Sequence, residues 1–348
     1  MDEGLLKALG RYLKIVNEKC TAKFLICKAI KCEPKESLHE MLNEHLKKIR
    51  EFRWLDQQEL QPNDLEFEEY SLLDLKIDIA EKYIEKCNFC ERKCNINRKI
   101  KTGFCGVGYK SRVASAFSHY GEEPEFIPSG TIFFSGCNSK CVFCQNYDIS
   151  QNPAAGEVWE PEDISDWIER KFRSKSIINV NLVGGEPTPN LHNILKALRI
   201  LEINIPIIWN SNMYMSEECM EILEGAVDVY LADFKYGDDE CAMRLSSLPN
   251  YFRIVSRNHL IAKNQCEVLI RHLVMPNHIE CCSKKILHWI KEKLGDSVRT
   301  NIMSQYRPEY RAYEFKEINR RLYKDEYEEV LKYAKKIGLT NIEIQPMF

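Results

Sequence analysis

Cys137, Cys141 and Cys144 stand in the run Gly-Cys-Asn-Ser-Lys-Cys-Val-Phe-Cys-Gln-Asn, and their C-x3-C-x2-C spacing offers three thiolates to an iron-sulfur cluster that takes four ligands. A four-iron cluster held in this way keeps one iron open to bind and reduce a substrate or cofactor, whereas a fully ligated cluster mainly passes electrons. The competing readings of such a trio are a partial zinc knuckle and reduced core thiols. Context weighs against both. Residues 131–136, Thr-Ile-Phe-Phe-Ser-Gly, read as a short buried strand ending in a turn, so the thiols sit at a strand's C-terminal end, and no fourth zinc ligand stands nearby.

A second strand-end motif follows. The apolar run 178–183 leads directly into Gly184-Gly185-Glu186-Pro187-Thr188-Pro189. Paired glycines allow a backbone to approach a ligand closely, and the adjoining carboxylate can accept hydrogen bonds from an ammonium group. Alone this is an ordinary turn; its weight comes from lying one helix beyond the cysteine trio. More polar groups recur where strands end: Asn210-Ser211-Asn212, Asp233-Phe234-Lys235, Arg271-His272 and Ser304-Gln305-Tyr306. Each singly is a capping or solvated residue, but in a parallel barrel all would line one mouth.

Upstream, Cys87, Cys90, Cys94 and Cys105 form C-x2-C-x3-C-x10-C, with Gly103 and Gly106 placed to make the turns of a small knuckle. Four thiols at this spacing suit zinc or an iron-sulfur cluster, and the sequence does not choose between them. Arg92, Lys93, Arg98, Lys99, Lys101, Lys110 and Arg112 make the knuckle basic. That is a solvated face by default and an acidic or nucleic-acid partner surface otherwise. Cys20, Cys27 and Cys32 are spaced too loosely for a metal site and read as core or surface thiols.

The elements that must position these groups follow from composition and periodicity. A chain of 348 residues with 44% hydrophobic content can bury a substantial core, and a formal charge of -3 gives no global reason to expect nucleic acid. The start Met-Asp-Glu-Gly-Leu-Leu lacks the pattern of a signal peptide, and no segment approaches the roughly 20 apolar residues of a membrane span, so a cytoplasmic location and no membrane partner are expected. Fifteen cysteines in such a chain favour metal ligands and reduced thiols over disulfides. Residues 1–86 are poor in Gly and Pro, with helical spacing at Leu5-Leu6-Leu13 and Leu42-Leu46-Ile49, which predicts a helical N-terminal domain. Residues 87–130 form the knuckle and a connector. From 131 to 348, strands near Ile132, Val180, Ile207, Val229, Val268, Asn301 and Ile342 alternate with helices predicted over 161–173, 191–201, 217–224, 284–294 and 325–337.

These motifs resemble the radical S-adenosylmethionine (SAM) superfamily, whose cluster loop carries an aromatic residue just before the last cysteine, here Phe143. The resemblance implies an α/β fold, a partial (β/α)6 barrel, with a [4Fe-4S] cluster on Cys137, Cys141 and Cys144. It also implies SAM whose amino group is received at Gly184-Gly185-Glu186. Asp233-Phe234-Lys235 and Arg271-His-Leu-Val-Met-Pro276 further resemble the glycyl-radical activases of pyruvate formate-lyase. Residues 141–147, 179–189 and 301–308 resemble a branch of activase-like proteins whose motifs do not fix a substrate. The likeness spans residues 71–348. It makes Asn210, Asn212 and Arg271 candidate ribose or carboxylate contacts, and Asp233 and Lys235 candidates for a cation or substrate site. Met275-Pro276-Asn277-His278 stands where relatives carry a glycine-rich element beside the adenine, so the adenine contacts stay unassigned.

The expected activity is therefore reductive cleavage of SAM to a 5'-deoxyadenosyl radical, with hydrogen abstraction from a glycine of a partner enzyme. The expected electron donor is a flavodoxin or ferredoxin. Modification of a small molecule, a peptide or RNA is the alternative substrate reading, and a non-catalytic iron-sulfur or zinc interaction protein is the alternative to an enzyme. The stretch His119-Tyr120-Gly121-Glu122-Glu123-Pro124 is expected to pack over the barrel mouth with both carboxylates exposed; the competing reading makes one of them a substrate contact.

Overall fold

The computed structural model describes residues 3–345, so the outermost residues of the first and last predicted units lie outside it. Four helices come first: α1 (Glu3–Val16), α2 (Lys23–Lys28), α3 (Leu38–Asp56) and α4 (Leu72–Glu85). Ser37 and Ser71 start α3 and α4 through capping boxes with Glu40 and Asp74, satisfying backbone N–H groups that a helix start leaves free. After the knuckle, β1 (Ser111–His119) pairs antiparallel with β2 (Ser129–Phe134). The chain then runs through α5 (Tyr147–Ser150), β3 (Glu157–Trp159), α6 (Pro161–Arg173), β4 (Asn179–Gly184), α7 (Leu191–Ile200), β5 (Ile207–Ser211), α8 (Glu217–Leu223) and β6 (Val229–Asp233). Two helices follow, α9 (Asp239–Ser246) and α10 (Tyr251–Gln265), then β7 (Glu267–Leu273), α11 (Lys284–Lys293), β8 (Arg299–Met303), α12 (Lys324–Lys336) and β9 (Ile342–Ile344).

The strands make one sheet in the order β3-β1-β2-β4-β5-β6-β7-β8-β9, parallel from β2 onward. Six strand-helix units from β2 to α12, closed by β9, give the partial barrel expected from the sequence. Register brings the functional strand ends level: Phe134 pairs with Gly184, and Asp233 with Arg271.

Alternation along the strands divides the core into two layers. Ile207, Trp209, Tyr230, Ala232, Val268 and Ile270 face the outer helices and share one buried cluster with residues of α2, α3 and α4. Ile208, Val229, Leu231 and Leu269 face inward and pack against Ala8, Leu9 and Tyr12 of α1. Helix α1 therefore fills the N-terminal end of the barrel. Its docking is also polar: the backbone N–H groups of Arg11 and Tyr12 each donate to the Glu267 carboxylate at 2.7 Å, and the Asn179 amide donates to the Tyr12 hydroxyl at 3.0 Å. Among the described residues no helix is long and apolar enough to cross a membrane.

Candidate active site

The opposite end of the barrel holds a cavity of about 380 Å³. Its lining includes Cys137, Cys141 and Cys144 together with Gly184, Gly185, Glu186, Asn210, Asn212, Asp233, Lys235 and Arg271, so strand-end residues far apart in sequence converge on one space.

The three cysteines lie on the loop from β2 to α5. Gly136 starts that loop at φ +85°, and a Cβ there would come 2.9 Å from the Cys105 carbonyl oxygen, so the loop lies directly on the knuckle. Every sulfur has a polar neighbour. The Ser139 N–H donates to Cys137 Sγ at 3.3 Å, Cys141 Sγ lies 3.0 Å from the hydroxyls of both Ser139 and Ser246, and Cys144 Sγ lies 3.3 Å from Ser150 Oγ. Burial pushes the Cys137 and Cys144 thiols up, with Glu186 adding to the effect on Cys137. Such thiols stay protonated until a cation is bound among them. Three soft donors, each with a hydrogen-bonding neighbour on the sulfur, facing one cavity with no fourth cysteine in its lining, fit an iron-sulfur cluster with an open iron.

Glycines 184 and 185 let backbones pack closely beside the cavity. Gly184 sits at φ +121°, where a Cβ would lie 2.2 Å from the backbone of Phe134, and at Gly185 it would lie 2.2 Å from the Gly136 carbonyl oxygen. Both edge the cavity, and the close approaches they permit are of β4 to β2 at Gly184 and of the following residue to the cluster loop at Gly185.

Glu186 is 1% exposed and its carboxylate accepts from the Thr188 hydroxyl (2.6 Å), the Ser211 hydroxyl (2.7 Å) and the Asn212 N–H (2.9 Å). Burial still raises its pKa against those donors. The Asn212 amide donates to Asn138 Oδ1 at 2.7 Å and lies 3.7 Å from Cys137 Sγ, linking the β5 end to the cluster loop. Asn210 lines the cavity beside it. Lys235 forms an ion pair with Asp233, and its ammonium group is near enough to Cys141 and Cys144 that each thiolate would help keep it charged.

The connector departs from expectation. Glu123 is buried and Glu122 half-buried, and both pair with Arg271, whose Nε donates to Glu123 Oε1 at 2.8 Å. Glu123 also accepts from the Asn301 amide (2.8 Å), and Glu122 from the Asn181 amide (3.1 Å). Although burial works against it, Arg271 holds the Glu123 carboxyl below its usual range. Two carboxylates thus occupy the Arg271 fork, which leaves less of it for a ligand than its strand-end position implied. The pairing joins residues 148 and 149 apart, and the available signal was an acidic pair in the connector together with an arginine in an apolar strand.

Cys87, Cys90, Cys94 and Cys105 gather before β1, close enough that Cys87, Cys94 and Cys105 each reinforce the upward push that burial gives the Cys90 thiol. The knuckle reaches the site through Arg92, which donates to the carbonyls of Asn138 (2.9 Å) and Ser247 and stacks 3.7 Å above the Phe104 ring. Cys20, Cys27 and Cys32 are buried. The sequence reading passed over another set, Cys241, His278, Cys281 and Cys282, although His-x2-Cys-Cys is visible in the chain.

Residues 131–290 match the family model described as the radical SAM superfamily. An uncharacterized protein of Methanocaldococcus jannaschii, MJ0674, is 47% identical over 342 residues, covering 95% of this chain and 98% of that protein. The dual-specificity RNA methyltransferase RlmN of Buchnera aphidicola is 26% identical over 140 residues, 37% of this chain and 36% of that protein. Among solved structures, Streptococcus suis SuiB bound to S-adenosylmethionine aligns at 13% identity with a TM-score of 0.42, covering 60% of this chain and 48% of that chain.

Proposed function

We propose a function from one premise: this chain belongs to the radical SAM superfamily and shares a family with MJ0674. On this reading it is an enzyme whose barrel mouth binds SAM and admits a substrate from which hydrogen is abstracted. When bound, the [4Fe-4S] cluster supplies the electron that cleaves SAM to methionine and a 5'-deoxyadenosyl radical.

The chain's own residues bind, orient and exclude water. Cys137, Cys141 and Cys144 hold the cluster. Glu186 carries the reading: it is a buried carboxylate, fixed by hydroxyl and backbone donors, with its pKa raised in the absence of a cation. An ammonium group delivered to it would stabilise the charged form, as SAM's amino group does in this role. Asn210 and Asn212 then face the ribose or carboxylate, while the Asp233–Lys235 pair is positioned for the substrate side. Arg271 works through Glu122 and Glu123, a positioning role that holds the connector across the mouth.

For the substrate, the activase-like motifs favour a glycine of a partner enzyme, reduced electrons coming from a flavodoxin or ferredoxin. The local likeness to RlmN supports RNA as the second substrate class. The test is anaerobic reconstitution and dithionite reduction with SAM. 5'-Deoxyadenosine is expected, and Cys141→Ala should abolish it; cleavage that persists in that variant sinks the assignment. A glycyl-radical doublet in a partner's electron paramagnetic resonance spectrum supports the first substrate class, and deuterium transfer from labelled RNA into 5'-deoxyadenosine supports the second.

A further inference from the structure

Away from the cluster cysteines and the knuckle, Cys241, His278, Cys281 and Cys282 bring one donor atom each to within 4.8 Å of all the others. Cys241 lies in the first turn of α9, and the other three lie on the turn between β7 and α11, which includes a π-helical segment, Ile279–Ser283. The backbone N–H groups of Cys282 and Ser283 both donate to the His278 carbonyl at 3.1 Å. This widened turn lets adjacent cysteines face the same point; such turns recur at functional sites. The loop after β6 closes onto it at Gly237, where a Cβ would come 2.7 Å from the Cys282 carbonyl oxygen.

We propose that these four residues form a tetrahedral zinc site. Zinc bonds of about 2.3 Å to sulfur and about 2.0–2.1 Å to nitrogen set tetrahedral edges of roughly 3.8 Å between two thiolates and roughly 3.5 Å between thiolate and imidazole. Cys281 Sγ lies 3.8 Å from both Cys241 Sγ and Cys282 Sγ, and His278 Nδ1 lies 3.3 Å from Cys281 Sγ and 3.9 Å from Cys282 Sγ. These are the edges of a single-ion site. An iron-sulfur cluster gives each thiolate its own iron and spreads the sulfurs farther apart. Three thiolates and one imidazole, with Cys241 9%, His278 3% and Cys282 1% exposed and Cys281 half-buried, supply all four ligands of a structural site and leave no position open to substrate. The ion ties the loop that presents Asp233 and Lys235 to the turn after β7 and to α9, whose far end carries Ser246 against Cys141.

The test measures zinc, iron and sulfide per chain in the full-length protein, independently of SAM cleavage. Cys241→Ser and Cys282→Ser should each lose about one zinc per chain relative to the parent, with cluster iron and sulfide retained. His278→Cys should keep the ion while the nitrogen contribution to the zinc-edge X-ray absorption is replaced by sulfur, the change amounting to one ligand per site. Unchanged zinc in folded serine variants overturns the proposal, and so does loss of iron with sulfide in place of zinc. If the serine variants are insoluble, the His278→Cys spectrum decides: an unchanged zinc shell overturns the site.

Discussion

At Glu186 a charge is prepared before its partner arrives. Its donors come from Thr188, Ser211 and Asn212, so removing the negative charge while keeping the side chain's shape isolates the electrostatic part. Glu186→Gln should weaken SAM binding about tenfold or more, roughly 1.4 kcal/mol, with the iron content unchanged. Equilibrium binding to the reconstituted protein checks this, and equal affinity would place the amino group elsewhere. His192 makes a separate pH prediction. Burial, aided by Arg98, lowers its pKa to about 3, and its Nε2 lies 2.7 Å from the Tyr109 carbonyl oxygen. Unfolded, it titrates near 6.5, so below that pH the unfolded chain takes a proton the folded one refuses. The stability tied to neutral His192 is therefore intact above about pH 6.5 and falls by about 1.4 kcal/mol per pH unit until the folded pKa is reached. His192→Gln keeps an amide donor and should flatten the slope by that amount between pH 6 and 4, read as the difference from the parent in urea unfolding. At this scale the sequence was legible where chemistry is local: the cysteine trio and Gly-Gly-Glu lie in short runs. It was opaque where a partner lies across the fold, as Arg271 does from Glu123 or Cys241 from His278.

The strands were read from apolar runs, and the helices at 161–173 and 191–201 agree with the observed ones to within a residue. The run Ser111–His119 was missed as β1 because it is rich in Ser and Ala and only Ser111 and Val113 in it are buried, too short a stretch for a clear alternation. Helices α9 and α10 were also missed. Helix α9 is only eight residues long, and α10 carries scattered polar groups that blur its stripe. Both matter: α9 touches Cys141, and Tyr251 of α10 accepts from the Lys235 N–H at 2.9 Å. Through Arg92 the knuckle makes a contact onto the cluster loop. Arg92→Met keeps the stem and removes the donors. It should cost about 2 kcal/mol, given that hydrogen bonds from a charged group contribute roughly 1.5–3 kcal/mol each. Iron bound at Cys137, Cys141 and Cys144 should fall. Calorimetry with metal analysis checks both, and a stable variant with full iron would show that the cluster loop holds itself.

Across the whole molecule, α1 and the cavity occupy opposite ends of one barrel. Leu9 is fully buried against the inward strand residues, so Leu9→Ala should destabilise by about 2–4 kcal/mol through lost contact and an unfilled space, measured as a lower urea midpoint. SAM binding per folded molecule should hardly change, because the site lies at the other end; a large change would mean that the plug sets the strand positions at the mouth. The same helix has a consequence in time. Its backbone bonds to Glu267 join residues 256 apart, and the Asn341 amide donates to the Gly4 carbonyl across 337. At about 5–20 residues per second on the ribosome, roughly 15–50 s pass between the synthesis of α1 and the strand that accepts it. For that interval an apolar helix is made before its socket exists, so the barrel can close only after nearly the whole chain has emerged. A ribosome stalled before β7 would display Leu9 and Tyr12 as bait for holdase chaperones.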